Sequence, residues 1–310
     1  MERYKILSMA RRRKNKKLLS IISALILAIV GSLYLYFNPS LLDGVENTLG
    51  SSSTTQDGNF TVYYADVGQG DCSLVICDGE SMLIDAGENG YEQAVLKLLD
   101  SQGIDTLDYA VATHPHSDHI GGMAEVLETF GTNTFILPDV SRDYITAEKT
   151  YSNMINAAKN CNAKIENPIV GDSFELGSAK VEIEGPISMD GTELNNYSLV
   201  IKITYGDTKF LFCGDAEANE ENEILEFGSD VDADVLKVAH HGSSGSSTKE
   251  FLEAVSPKYC VISCGENNDY GHPHKATLER LKKYTNEIYR TDICGTIKAE
   301  SDGKNITFSY

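Results

Sequence analysis

The sequence has few cysteines and no cysteine motif. Its seven cysteines are an odd number, none forms a Cys-x-x-Cys pair, and none precedes Cys72. A chain of 310 residues is long enough to bury a sizeable core without a disulfide framework, so we interpret most of the cysteines as buried thiols in strands. The absence of a cysteine before position 72 also excludes a lipoprotein anchor.

Long hydrophobic runs are equally scarce, and only one is long enough to cross a membrane. Residues 18–37, LLSIISALILAIVGSLYLYF, carry no charge, and about twenty residues cross the hydrocarbon core as a helix. Residues 11–17, RRRKNKK, precede this run, so the positive-inside rule predicts a cytoplasmic N-terminus and an external C-terminal domain. A cleaved signal peptide is the alternative, but its apolar core is usually shorter.

These features divide the chain into four parts. Residues 1–17 are predicted to be a cytoplasmic basic tail and residues 18–37 a transmembrane anchor. Residues 38–58 are rich in Ser, Thr, Gly and Asn and are predicted to be a flexible linker. Residues 59–310 form the remaining domain. No other run in the sequence approaches eighteen apolar residues, so we expect a single-pass protein of the cell membrane with this domain outside and no channel.

Positive charge is scarce outside the tail. The chain has 26 Lys and Arg against 46 Asp and Glu, and eight of the basic residues but only one acid lie in residues 1–17. The remaining 18 basic and 45 acidic residues give residues 18–310 a net charge of −27. Such a domain repels polyanions at long range, which counts against nucleic acid as a non-specific partner.

Short strands alternate with helices from residue 59 to the C-terminus. The strands are rich in Val, Ile, Phe and Tyr and are separated by Gly and Asp, whereas the helices carry apolar residues at helical spacing. Many strands in two halves, with helices between them, predict an α/β domain of two sheets covered by helices. Helices are predicted at 92–103, 121–130, 147–160, 217–227 and 276–285.

Three of the seven histidines lie within six residues, directly after the predicted strand LDYAVAT. The motif Thr-His-Pro-His-Ser-Asp-His contains His114, His116, Asp118 and His119. These side chains cannot all face one way on a regular helix or strand, but on a tight loop they can converge on one point, as metal binding requires. The motif therefore predicts a metal site.

The His-x-His-x-Asp-His motif, with the upstream segment LIDAG, resembles the metallo-β-lactamase superfamily. The resemblance implies a four-layer αββα sandwich with metal ions at the edge of the sheets. It also implies that Asp85 orients the metal loop, that Asp215 of GDAE bridges two metal ions, and that a histidine of KVAHHGS belongs to the second site. The sequence does not choose between His240 and His241 for that role.

A closer resemblance is to the extracellular hydrolase domain of ComEC-type competence proteins. It is carried, in order, by DVGQGD, LIDAG, HPHSDHIGG, NNYSLVIK, GDAE, DVLKVAHHGS, YGHPH and RTDICGTI. Phosphorylcholine esterases of the bacterial cell wall look similar too, through the GDxE and HHG elements. ComEC proteins also carry a multi-span channel that is not part of this resemblance, so DNA uptake is not implied.

The sequence departs from the superfamily because no histidine lies between His119 and His240, where the third imidazole of the first site is expected. The first site is therefore predicted to hold His114, His116 and Asp215. The second site is predicted to hold Asp118, His119, Asp215 and His240 or His241. Residues of the NNYS segment are expected to contact substrate or a metal-bound water, with Asp292 as the next candidate to complete the first site. The NNYS residues concerned are Asn195, Asn196 and Ser198.

The resemblance implies two divalent ions, zinc or manganese, sharing a hydroxide that attacks phosphorus. Asp118 or Asp215 is expected to hold the attacking water. Glu217, His272 and His274 are candidates for contacting the scissile group or protonating the leaving oxygen. The DVGQGD segment is expected to form a Gly-rich turn near the metals. Its polar residues, Asp66, Gln69 and Asp71, are candidates for supporting the ligands, the alternative being simple turn formers.

The sequence thus predicts a metal-dependent phosphodiesterase, with DNA as the substrate that the resemblance implies. A cell-wall esterase acting on phosphorylcholine or teichoic acid is the second candidate, favoured by the acidic domain and the single anchor. A metal-stabilised binding module without catalytic activity at the envelope is the third. Hydrolysis of β-lactams is disfavoured because a shared fold and metal motif do not determine the substrate. No protein partner is predicted.

Overall fold

The computed structural model describes residues 60–189 and 192–310, which form two mixed β-sheets packed face to face with helices on the outer faces. This is the predicted α/β sandwich of four layers. The predicted basic tail, membrane anchor and linker lie outside the described residues. Within the described part of the chain, no helix is both long and apolar enough to cross a membrane.

The first sheet has eight strands in the order β15-β14-β1-β2-β3-β4-β5-β6. Strands β3 to β6 are parallel to one another, and the remaining neighbours are antiparallel. Its strands are β1 (Phe60–Tyr64), β2 (Ser73–Cys77), β3 (Glu80–Ile84), β4 (Leu107–Val111), β5 (Thr132–Ile136), β6 (Lys164–Glu166), β14 (Ile297–Ser301) and β15 (Ile306–Ser309).

The second sheet has seven strands in the order β13-β12-β11-β10-β9-β8-β7. Strands β10 to β13 are parallel to one another, and the others are antiparallel. Its strands are β7 (Ser173–Leu176), β8 (Ala179–Gly185), β9 (Val200–Tyr205), β10 (Thr208–Phe212), β11 (Val235–Lys237), β12 (Tyr259–Ile262) and β13 (Ile288–Arg290).

Strand alternation decides which side chains fill the space between the sheets. In β1, Phe60, Val62 and Tyr64 face this inner core, whereas Tyr63 faces the outer layer of the first sheet. In β11, Val235 faces the inner core and Leu236 the outer layer of the second sheet. Each sheet is therefore apolar on both faces, which is what a layer buried between helices and another sheet requires.

The outer layers consist of helices that cover an apolar cluster on each sheet. Helices of the first half cover the first sheet, and those of the second half cover the second. The helices are α1 (Glu92–Ser101), α2 (Ser117–Ile120), α3 (Met123–Thr129), α4 (Glu148–Asn160), α5 (Ala218–Phe227), α6 (Lys249–Val255), α7 (Lys275–Leu281) and α8 (Thr291–Cys294).

The helix predictions need three corrections. Helix α6 was not predicted, although Thr248 caps it by accepting a hydrogen bond from the N–H of Phe251, because only two turns of periodic residues precede Ser256. Helix α7 ends at Leu281 instead of 285. Asp292, expected at the end of a strand, lies in the one-turn helix α8.

The interpretation of the cysteines as buried thiols in strands is confirmed in full only for Cys77 and Cys260, which are buried and lie in β2 and β12. All seven thiols are free, five are buried, and Cys161 and Cys294 are partly exposed. Burial raises the pKa of the Cys213 thiol, so this residue next to the GDAE segment is a protonated core thiol.

Candidate metal centre

The metal motif lies where the parallel strands of both sheets end. Strand β4 leads into His114, and strand β10 leads into Asp215. Strand β11 leads into the turn Ala239–Gly242. Because the carboxyl ends of parallel strands meet at one edge, loops from both sheets converge there.

The motif itself is only partly a loop. His114 and His116 lie in extended backbone after β4, whereas Asp118 and His119 lie in the one-turn helix α2. Two glycines follow at close contacts, as the sequence predicts: a Cβ at Gly121 would lie 2.2 Å from the backbone nitrogen of Asn89. The loop after β3 can therefore lie directly against the metal motif.

Asp85 holds this motif in place from beneath. Its carboxylate accepts hydrogen bonds from the Thr113 N–H at 2.8 Å and the Thr113 hydroxyl at 2.7 Å, and it lies 2.7 Å from Nδ1 of His119. All three residues are buried. A carboxylate on Nδ1 keeps the proton there and leaves Nε2 of His119 as the free ligand atom, the supporting role predicted for Asp85.

The two oxygens of Asp215 face two separate groups of ligands. Oδ1 lies 3.1 Å from Nε2 of His119 and 3.6 Å from Nε2 of His241. Oδ2 lies 4.0 Å from Nε2 of His114 and 3.7 Å from Nε2 of His240. One carboxylate shared by two groups is the arrangement that a bridging ligand requires.

The first group consists of His114, His116 and Oδ2 of Asp215. Nε2 of His114 lies 3.0 Å from Nδ1 of His116, and Nδ1 of His114 lies 3.2 Å from the Thr113 hydroxyl and 3.4 Å from the Ser198 hydroxyl. The Ser198 hydroxyl also accepts a hydrogen bond from the N–H of Asp215 at 3.0 Å. Ser198 thus contacts two ligands, whereas the sequence analysis expects it to contact substrate or a metal-bound water.

The second group consists of Asp118, His119, Asp215 and His241. One ligand atom from each lies within 4.8 Å of the others, and Nε2 of His241 is 3.3 Å from Oδ2 of Asp118. These are the four residues predicted for the second site. The choice left open by the sequence is made by the fold, which places His241 in this group.

The backbone of the histidine pair explains how neighbours serve different groups. His240 and His241 both have positive φ, at 50° and 53°, which is rare for residues other than glycine and costs about 1–3 kcal/mol each. His241 is buried, with Nδ1 3.0 Å from the carbonyl oxygen of Ser263. His240 is partly exposed, with Nδ1 3.4 Å from Oε1 of Glu217. The turn therefore directs one imidazole inward and the other to the mouth of the site.

The group fits metal ions because its inward-facing atoms have no other partner. Oδ1 of Asp215 and Nε2 of His119 and His241 are buried and have no hydrogen bond to any residue that the structure describes. Burial opposes protonation of His119, yet Asp215 and Asp85 raise its pKa well above the usual value. Burial likewise opposes protonation of His241, whose pKa rises to about 10 through Asp215, Asp118 and Asp71. Carboxylates this close together are stabilised by a bound cation, and a set of imidazole and carboxylate ligands suits zinc or manganese.

A cavity of about 420 Å³ opens above the two groups. Tyr270, 66% exposed, stands at its rim and stacks on the His272 ring with centroids 5.6 Å apart. Burial and the neighbouring His241 and His240 lower the pKa of His272 to about 4, so it is a neutral imidazole at pH 7. Of the two roles predicted for His272, contact with the scissile group therefore fits better than donation of a proton to the leaving oxygen. The lining also includes Gln69, His116, Ser117, Asp118, Asn195, Asp215, His240 and His241.

The profile of the Metallo-beta-lactamase superfamily matches residues 65–266. The chain belongs to this superfamily. The fold binds divalent metals, typically two, and competence proteins are among the homologues of this chain.

Several of the similar proteins are competence or recombination proteins. The chain is 32% identical over 218 residues to ComE operon protein 3 of Bacillus subtilis, covering 70% of this chain and 28% of that protein. It is 29% identical to Recombination protein 2 of Haemophilus influenzae, covering 75% of this chain and 28% of that protein. It is 28% identical to Competence protein ComA of Neisseria gonorrhoeae, covering 75% and 31%. The chain thus spans less than a third of the length of these relatives.

Among solved structures, the fold is similar to that of CmlA, a diiron β-hydroxylase from Streptomyces venezuelae. The TM-score is 0.51 at 13% identity, covering 78% of this chain and 54% of CmlA. At this identity the likeness shows the shared fold alone.

The departure from the superfamily lies in the NNYS segment. Asn195 lines the cavity, donating from Nδ2 to Glu217 at 2.9 Å while its Oδ1 is buried without a partner. Asn196 accepts a hydrogen bond from the N–H of Glu217 at 3.2 Å. The segment therefore holds the GDAE loop, and only Asn195 stays available to substrate. His240 lies on the Oδ2 side of Asp215, the side of the first site, where the superfamily has a third imidazole.

The DVGQGD residues have different roles. Asp66 is exposed and accepts a hydrogen bond from the N–H of Gly68, a turn-forming contact. Gln69 accepts one from the N–H of Gly265 and lines the cavity. Asp71 is buried and contacts Lys237, a residue that the sequence analysis missed. A lone charge inside the apolar run VLKVA was the available signal for a buried ion pair.

Two further predicted residues lie away from the metal groups. Nδ1 of His274 accepts a hydrogen bond from the N–H of Ser244, at the beginning of helix α7. Asp292 forms an ion pair with Arg290 and lines a second cavity. Asp292 was proposed to complete the first site, and this prediction is not supported because Arg290 already occupies its carboxylate.

Proposed function

We propose that this chain is a membrane-anchored phosphodiesterase that uses two divalent ions, zinc or manganese, to cleave the DNA backbone outside the cytoplasm. The observation that carries the proposal is the carboxylate of Asp215, whose two oxygens face two groups of imidazole and carboxylate ligands. The sequence similarity to competence and recombination proteins supports nucleic acid as the substrate class.

The chain's own residues divide the chemical work. His114, His116 and Asp215 would hold one ion, and Asp118, His119, Asp215 and His241 the other. Bound ions would supply Lewis acidity, which would make a water nucleophilic near neutral pH and offset charge on the phosphoryl oxygens. The carboxylate of Asp118, on a side chain that is 25% exposed, would accept a hydrogen bond from the attacking water.

The scissile phosphate is proposed to lie at the mouth of the cavity. His240 and Asn195 line it, and Glu217 contacts both of these side chains, His240 at 3.4 Å and Asn195 at 2.9 Å. Glu217 thereby acts as a positioning residue, whereas His240 and the neutral His272 donate hydrogen bonds to phosphate oxygens. Such donors stabilise the charge that develops in the transition state.

The negative charge of the substrate would be compensated almost entirely at the metal centre. No Lys or Arg occurs among the described residues that line the cavity. A polyanion is repelled by the rest of the domain, so binding depends on the ions and not on a basic groove. A short, single-stranded end of DNA fits this arrangement better than a long duplex footprint.

The test is hydrolysis of bis-p-nitrophenyl phosphate and of a fluorescent single-stranded DNA by the full chain in detergent. His116→Ala and Asp215→Asn are expected to lower kcat/KM by at least about 10³-fold, because each removes a ligand from the reacting centre. Asp232→Asn, an aspartate paired with Lys209 away from the site, is the matched control and keeps wild-type activity.

If both site variants cleaved DNA as fast as the wild type, the two-metal mechanism would be excluded. Turnover of neither substrate by the wild type, with zinc or manganese bound, would instead favour the envelope binding module without catalytic activity.

One observation favours a cell-wall esterase as the second candidate. A neighbouring cavity of about 500 Å³ shares Tyr270 with the first and carries a second exposed aromatic, Tyr91. Carboxylates with aromatic faces suit a quaternary ammonium group such as choline. Preferential turnover of p-nitrophenyl phosphorylcholine over DNA would establish this alternative. The carboxylates belong to Asp66, Glu88, Glu266, Asp269 and Asp292.

The proposed location follows from residues 11–37 of the sequence. We expect the full chain in the membrane fraction of cells, with the metallo-β-lactamase domain cleaved by protease added outside. A protein trimmed near residue 40 and recovered from the medium would show a cleaved signal peptide instead.

A further inference from the structure

A buried ion pair joins the two sheets directly behind the second group of ligands. Nζ of Lys237 donates to Oδ2 of Asp71 at 2.7 Å and to the carbonyl oxygen of Val238 at 3.1 Å. Lys237 is 2% exposed and Asp71 5% exposed. Lysine is almost never buried without a partner. A hydrophobic contact at this position would avoid the desolvation free energy that a buried ion pair costs.

Asp71 contacts three of the segments that supply or support ligands of the second group. Its N–H donates to the carbonyl oxygen of Asp118 at 3.1 Å, and its carbonyl oxygen accepts from the N–H of Gly87 at 2.8 Å. Its Oδ1 lies 3.6 Å from Nδ1 of His241 and makes no hydrogen bond within the described part of the chain. Burial opposes ionisation of Asp71, but Lys237 and His241 lower its pKa below the usual range.

The carboxylate of Asp71 also lies close to the residues that orient His119. One ligand atom from each of Asp71, Asp85 and His119 lies within 4.8 Å of the others. A buried carboxylate this close to a second carboxylate needs a paired cation to stay in place. Lys237 satisfies Asp71 from the opposite side.

We propose that Asp71 and Lys237 are a positioning pair, in which Lys237 fixes the carboxylate of Asp71 and Asp71 in turn supports the backbone of Asp118 and the ring of His241 in the second group. The inference rests on the metal centre and not on the phosphodiester substrate. Zinc binding tests it separately from turnover.

The direction in which zinc affinity changes when Lys237 is replaced separates positioning from simple electrostatics. If Lys237 acted only as a nearby positive charge, its removal would strengthen binding of a cation. If it positions Asp71 and His241, its removal weakens binding, and the loss of such a supporting contact typically costs about 10–100-fold in metal affinity.

The experiment is titration of the full chain in detergent with Zn²⁺ against a chromogenic chelator. Lys237→Met is expected to weaken the tighter zinc step by about 10–100-fold. Lys202→Met is the matched control, because Lys202 is also 2% exposed, lies in the same sheet and pairs with Asp230. It is expected to leave zinc affinity unchanged. Unchanged or tighter zinc binding by Lys237→Met would overturn the proposal.

Two further variants keep the test decisive if Lys237→Met does not fold. Lys237→Arg retains the charge but changes the shape of the donor, so positioning predicts weaker zinc binding and electrostatics predicts no change. Asp71→Asn combined with Lys237→Met removes both charges; wild-type affinity in this double variant would contradict positioning. Thermal unfolding by circular dichroism, in chelator, confirms that each protein compared is folded.

Discussion

Replacing Asp85 by asparagine changes one atom of the side chain and scarcely changes its volume. The carboxylate takes two hydrogen bonds from Thr113 and contacts Nδ1 of His119 at 2.7 Å. An asparagine that keeps its oxygen on the N–H of Thr113 turns its amide NH₂ toward His119. Nδ1 must then accept a hydrogen bond, which moves the imidazole proton to Nε2, the atom that faces Asp215.

The expected cost follows from this exchange of tautomers. Metal binding at Nε2 of His119 requires the imidazole proton to be on Nδ1. In the variant this N–H would face the amide NH₂, a second donor, so we expect zinc affinity to fall by about 10–100-fold. The loss of charge-assisted hydrogen bonds in a buried site should also lower the free energy of unfolding of the ion-free protein by about 1–3 kcal/mol. Zinc titration and urea unfolding in chelator measure the two quantities.

Asp108→Asn is the control for Asp85→Asn. Asp108 lies in the neighbouring strand β4, and it also accepts a backbone hydrogen bond, from Ser81 at 2.9 Å, but at the far end from the metals. It should affect stability slightly and zinc affinity not at all. Equal zinc affinity in Asp85→Asn and wild type would refute the role assigned to Asp85.

Three further predictions follow from the same site. Metal titration should show two steps, the weaker belonging to His114, His116 and Asp215 and tracking activity, and Asn195→His should tighten it; one tight step for two ions would show that another ligand completes the first group. Zinc affinity should rise between pH 6 and 8, by about tenfold per unit for each proton displaced, because the raised pKa of His241, about 10, keeps it protonated until the ion binds; a flat profile from titrations at each pH would contradict this. At saturating metal, KM for DNA should fall or stay level as salt is added, because screening weakens repulsion by the acidic domain; a steep rise in steady-state KM would instead reveal a basic groove.

The sequence by itself determined the fold class and the kinds of ligand. Apolar alternation and helical periodicity follow local geometry, so the two-sheet sandwich and most of its helices could be predicted before any contact was known. The order LIDAG, His-x-His-x-Asp-His, GDAE and HHG likewise identified which carboxylates and imidazoles to expect. These features are local because a strand's end and the loop after it are adjacent in the chain.

The tertiary structure decided how those residues are used. His240 and His241 are neighbours in sequence, and only the left-handed backbone of their turn sends one inward and the other to the cavity. Ser198 orients Asp215 and His114 because strands β9 and β10 are paired, which no spacing in the sequence reveals. Asp71 and Lys237 are 166 residues apart and meet between the sheets. Their partnership depends on how the two halves pack, and local pattern carries no information about that.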